Sequence, residues 1–163
     1  MNIKLRLLAA TLAVASIATG VEAASTVNSN FTVSVNLSSR CVATNSGTGS
    51  VDFTYTAFQG TAASAAAPVT LSFDCTRGLA PVSAAFDTVN GTAAGVGVLA
   101  GLQYSLTTSA ATTVAGTAAS TTTIGTADSV SYSVNGSMPA NQAGTCGTAT
   151  CAASHTRTIF VTY

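Results

Sequence analysis

Charge is scarce in this chain: Asp, Glu, Lys and Arg together make up 6% of its 163 residues, and the formal net charge is zero. Lys4, Arg6 and Glu22 fall in an N-terminal leader, which leaves Arg40, Arg77 and Arg157 against Asp52, Asp74, Asp87 and Asp128. Without lysine or a basic patch, the remaining chain lacks the electrostatic footprint that phosphate binding needs, so nucleic acid is not an expected partner. Histidine is nearly missing too. His155 is the single one, set among small residues before the last predicted strand and expected to be an exposed loop residue. It has no nearby carboxylate and no serine of the nucleophile-elbow kind, and the four aspartates lie on separate predicted strands and turns. No catalytic residue is assigned, and the chain is not expected to be an enzyme. One histidine, with cysteines that do not follow paired CxxC spacing, also argues against a metal site, and no cofactor is expected. Long apolar runs are absent as well: the stretch from Leu7 to about Ala18 is well short of the ~20 residues that span a bilayer, so no membrane span is expected.

What is present begins with that leader. Lys4 and Arg6 precede the apolar run, and Val21-Glu22-Ala23 offers the small-residue pattern of a cleavage site, so residues 1–23 read as a signal peptide and 24–163 as one exported domain. Ala, Ser, Thr and Gly dominate, giving a surface of hydroxyls and methyls suited to close packing against other subunits. Period-two runs rich in β-branched and aromatic residues predict strands: SVDFTYTAF at 50–58, PVTLSFDC at 68–75, VSAAFDTV at 82–89, LAGLQYSL at 99–106, SVSYSV at 129–134 and TRTIFVTY at 156–163. Turn formers separate them at Asn45–Gly49, Asn90-Gly91, Gly95–Gly97 and Asn135-Gly136, and residues 107–126 predict only short strands or loops. No run has helical period. The fold expected is an all-β antiparallel sandwich of immunoglobulin type.

Four cysteines in an exported chain suggest two disulfides, with three pairings possible. Proximity in sequence favours Cys146 with Cys151, leaving Cys41 with Cys75. In the chain-entropy model a ~35-residue loop is worth about 3.8 kcal/mol and a ~6-residue loop about 2.2, so the longer bridge should matter more.

The segment NFTVSVNL at 30–37 is a strand signal in an unusual place. Phe31, Val33, Val35 and Leu37 alternate with Thr32, Ser34 and Asn36, so one face is apolar at the start of the exported chain, where segments are poorly ordered unless tied down. At the other end TRTIFVTY finishes with Tyr163, with no further strand to cover its neighbour. A free first strand and an absent last one would be complementary defects.

The chain resembles the spore coat U family of archaic chaperone-usher pilus subunits. The carriers are the alternating N-terminal segment, VDFTYTAFQG at 51–60, VTLSFDCTRG at 69–78, LQYSLTTSAATT at 102–113, and VSYSVNGSMPANQAGTCG at 130–147, in which MPANQAGT is the most specific. Two departures stand out. Family members commonly have a tyrosine and an acidic residue after AGT, where this chain has Cys146 and then Cys151. The tyrosine-centred motif expected after Leu102-Gln103-Tyr104 is reduced to Ser105-Leu106-Thr107-Thr108. The resemblance implies an incomplete immunoglobulin-like β-sandwich whose groove is filled by the donor segment of another copy, residues 24–38 here, through Phe31, Val33, Val35 and Leu37. It further implies a head-to-tail polymer at the cell surface that supports adhesion and biofilm formation. A periplasmic chaperone and an outer-membrane usher are the partners it implies. The alternative reading is a monomeric exported β-sandwich binding module, adhesin or lectin-like, using loops such as Gly91–Gly101.

Overall fold

A computed structural model describes residues 26–45, 49–88 and 94–163. The signal peptide expected at 1–23 lies outside these residues, as does the turn expected at Asn90-Gly91. The chain divides into two units, residues 1–36 and 37–163. In the first, residues 26–36 are in no strand and are exposed throughout.

Among the described residues the regular elements of the second unit are all strands. Among the described residues these are β1 (Cys41–Ala43), β2 (Ala63–Ser64), β3 (Val69–Cys75), β4 (Ser83–Phe86), β5 (Val96–Leu99), β6 (Leu102–Thr108), β7 (Thr112–Val114), β8 (Asp128–Met138) and β9 (Ile159–Thr162). All pairings are antiparallel. Among the described residues no helix is long and apolar enough to cross a membrane.

β8 is the central strand because its pattern allows nothing else. Val130, Tyr132, Val134, Gly136 and Met138 are all buried, while serines and Asn135 take the positions between. One side of β8 carries β3, in register from Val69↔Val134 to Cys75↔Asp128, and then β2. Its other side carries β7 opposite Ser129–Ser131 and β6 opposite Val134–Ser137. β1 extends the sheet beyond β3, and β5 extends it beyond β6. β4 and β9 form a separate two-stranded sheet. Ala84 of β4 and Val161 of β9 pack on Cys75, Val130 and Tyr132 of the larger sheet. Two antiparallel sheets with a core between them fit a β-sandwich.

Several predicted elements shift. The strand expected at 129–134 continues through Asn135-Gly136, which is no turn: Gly136 faces inward, and a Cβ there would stand 2.5 Å from Phe53 Cζ. The aromatic ring occupies the space a side chain would fill. The strand expected at 99–106 divides at Ala100 and Gly101, both at positive φ (47° and 69°), into the β5–β6 hairpin. Two expected strands are not strands at all. Residues 26–39 precede β1 without main-chain pairing, and residues 50–58 run between β1 and β2 outside any ladder, with only isolated main-chain bonds at Asp52, Thr56 and Phe58. Alternation is present in both, but a strand also needs a ladder partner, and neither has one.

Candidate functional site

The unpaired residues 50–58 form one wall of a groove. Val51, Phe53 and Tyr55 are half-buried while Asp52, Thr54 and Thr56 are exposed, the two-residue rhythm of a strand without a neighbour. Residues 151–158 form the facing wall, with His155 and Arg157 half-buried and Ser154, Thr156 and Thr158 exposed. Between the walls lies a cavity of about 610 Å³ floored by apolar side chains from the larger sheet, among them Leu71, Leu102, Leu106, Val134 and Met138.

Both walls present free backbone. Along 51–55 the Asp52 carbonyl accepts from Ala66 N at 2.9 Å, and no other main-chain group in that stretch is bonded among the described residues. Along 151–156 no main-chain group is bonded among the described residues. Backbone N–H and C=O groups in folded proteins are paired in the great majority, so two such stretches lining one cavity make it a candidate site for a further strand.

Polar clamps hold the walls. At one end Tyr55 Oη donates to Pro139 O at 2.8 Å and accepts from Gln142 N at 3.0 Å. The Gln142 side chain accepts from Gln103 N at 2.6 Å and donates to Gln103 O at 3.0 Å, tying the same loop to β6. Gln142, inside the MPANQAGT motif, thus joins the first wall to the sheet. At the other end Arg157 Nε donates to Asp87 Oδ1 at 2.5 Å, Nη2 to Asp87 O at 2.8 Å and Nη1 to Tyr104 Oη at 2.7 Å. Arg157 and Asp87 are 10% and 9% exposed, so this ion pair is largely desolvated. Breaking one partner of such a pair leaves an uncompensated buried charge. Tyr104 Oη also bonds His155 Nε2. That corrects the expectation of an exposed loop histidine: His155 packs at 5.5 Å between ring centroids against Tyr104 and helps fix the second wall.

None of these clamp residues was singled out from sequence as a site. Asp87 and Arg157 lie 70 residues apart and Tyr104 and His155 51, and no local pattern couples residues at such separations. Tyr55, Tyr104 and Gln142 stand in motifs named above, but those motifs carry no clamp role.

The residues expected to form a donor segment are placed differently. Phe31, Val33, Val35 and Leu37 are 86%, 84%, 87% and 77% exposed. Val27, exposed as well, continues the alternation beyond Ser29. Thr32, Ser34 and Asn36 between them are exposed as well, so the alternation is one of sequence, in a segment that buries none of its side chains.

Both disulfides form as proximity suggested, Cys41–Cys75 and Cys146–Cys151. The first is reinforced where Arg40 N donates to Thr76 Oγ1 at 2.9 Å and Thr76 N to Arg40 O at 2.8 Å. Two disulfides fit a non-cytoplasmic, exported protein.

No protein-family model matches the chain, and neither a curated protein nor a solved structure matches it. Its class therefore rests on its own geometry: an all-β antiparallel domain, consistent with a β-sandwich, with two disulfides.

Proposed function

We propose that this protein is a structural subunit of a secreted surface fibre that polymerises head to tail, residues 24–38 of each copy filling the groove of another. One observation carries the reading: the same chain holds a groove with unpaired backbone on both walls and an exposed segment whose side chains alternate apolar and polar. The dimensions agree. Residues 51–56 span about 20 Å and Phe31–Leu37 about 23 Å at roughly 3.3 Å per residue. Burying Phe31, Val33, Val35 and Leu37 would contribute on the order of 6 to 12 kcal/mol at about 1.5 to 3 each, before ladder bonds are counted. Part of that is offset by ordering the segment, and the surplus is the joint.

On this reading the domain is an incomplete immunoglobulin-like sandwich. A newly exported copy would need its groove covered until another copy arrives, which is the role of a periplasmic chaperone that lends a strand; an outer-membrane usher would then pass the growing fibre outward. The resemblance to the spore coat U family supports both partners, and adhesion and biofilm formation are the uses it suggests for the fibre.

The test is a matched pair of full-length variants. Val35→Asp places a charge in an apolar groove at a cost of several kcal/mol and should abolish fibres seen by electron microscopy, while Ser34→Asp, on the opposite face, should leave them. Fibres formed equally well by Val35→Asp would defeat the proposal, and a monomeric exported binding module would take its place.

A further inference from the structure

The second wall of the groove is a strap fixed at its ends. Its far end is the Arg157 clamp, completed by Thr158 N donating to Asp87 Oδ2 at 2.7 Å. Its near end is Cys151, bonded to Cys146. Cys146 is itself next to a fixed point: Thr145 N donates to Ala100 O at 2.6 Å, and Thr145 lies so close over Gly101 that a Cβ there would meet its amide at 2.8 Å. The bridge therefore transmits the position of the β5–β6 hairpin to the strap. Between the two ends, residues 152–156 have one hydrogen bond among the described residues, between His155 Nε2 and Tyr104 Oη.

The two disulfides differ in access. Cys75 is 0% exposed and Cys41 half-buried, whereas Cys146 and Cys151 are both exposed. A dithiol in solution reaches the second bridge more readily than the first, because exchange requires attack by a thiolate on an accessible sulfur.

We propose that the Cys146–Cys151 bridge is a redox latch on this groove: oxidised, it holds residues 151–156 in place to receive a strand, and reduced, it releases them so that strand uptake weakens. This rests on the reading of the groove as the acceptor for another copy's donor segment. In the step itself a thiolate of a small dithiol attacks one sulfur of the bridge and displaces the other cysteine as a thiolate. The reagent's second thiol then displaces the first cysteine and leaves as a cyclic disulfide. Two electrons pass from the dithiol to the protein sulfurs, and its two protons end on Cys146 and Cys151. The freed strap keeps one anchor, and docking a strand must then order it at the cost of backbone entropy.

The experiment uses the full chain carrying Val35→Asp, so that its own segment does not occupy neighbouring grooves, and a fluorescent peptide of residues 26–38. Peptide affinity is read by anisotropy on the oxidised protein, after mild dithiothreitol treatment with alkylation mapped to Cys146 and Cys151, after reoxidation, and in the double variant Cys146→Ser/Cys151→Ser. Near-ultraviolet circular dichroism follows the fold in each sample. The latch predicts tight binding when oxidised, a loss of about tenfold or more on reduction or in the double variant, recovery on reoxidation, and an unchanged fold. Equal affinity in both redox states overturns the latch and leaves the acceptor reading standing. Loss of the whole fold on reduction also overturns it, making the bridge a general staple. Failure of the oxidised protein to bind the peptide removes the acceptor reading and the latch with it.

Discussion

The two halves of the larger sheet are written in the same language and finish differently. Around Cys75, the runs PVTLSFDC and SVSYSV pair in a seven-residue register, Phe73 meets Tyr132 edge-on at 6.1 Å, and Val130 is fully buried. Around Tyr104, the run VDFTYT alternates just as regularly and Phe53 lies 6.2 Å from Tyr104, yet the backbone beside Phe53 has no partner. Alternation fixes which face of a segment is apolar. Whether that segment becomes part of a sheet depends on a neighbour, and among the described residues the second half supplies none beside Phe53.

The comparison can be broken first at the disulfides, one in each half. Replacing Cys41 and Cys75 by serine should lower the unfolding free energy by about 3.8 kcal/mol, and replacing Cys146 and Cys151 by at most about 2.2, in urea titrations of the full chain. A larger loss from the second pair would mean that the open half, not the closed one, holds the fold together.

The matched aromatics sharpen it further. Phe73→Ala removes a ring from the closed core and should cost about 3 kcal/mol. Phe53→Ala, in the unassembled chain, should cost only about 1, since its ring borders the groove rather than a filled core. Equal costs would show that the groove is already closed.

The smallest effect belongs to Asp128. Its carboxylate accepts from Gly78 N at 2.8 Å and Gly116 N at 2.7 Å, and these bonds, the one from Gly78 foremost, hold its pKa below the usual 3.8. A depressed folded pKa contributes stability that is complete above the usual value and is lost as pH falls through the lower folded one. Asp128→Asn should therefore be less stable than the parent at neutral pH, with the gap closing below pH 3.8. A gap that stays constant through acid would remove those two amides as the cause.

Much of the fold could be read from the chain. Period two located β3, β4 and β9, and found β8 though not its full length; proximity paired the cysteines. What escaped has a common cause. Gly136 looked like a turn because glycine after asparagine usually is one; its role as room for the Phe53 ring depends on a residue from a distant segment. Residues 50–58 looked like a strand because nothing in a sequence records that a partner is absent. The Arg157–Asp87 and Tyr104–His155 contacts were invisible for the same long-range reason, so the candidate groove was expected in kind but its clamps were not. The exposed alternation of Phe31, Val33, Val35 and Leu37 was legible directly.

The central claim, that the groove is a vacant strand position filled by another copy, is tested most directly by amide hydrogen exchange. Assembled wild-type protein is compared with the Val35→Asp chain, residue by residue, across 51–55 and 151–156. The account predicts rapid exchange along both walls in the variant and slowing of about a hundredfold or more in the assembly, as each wall gains a ladder partner. Equal exchange at both walls in the two samples would contradict it.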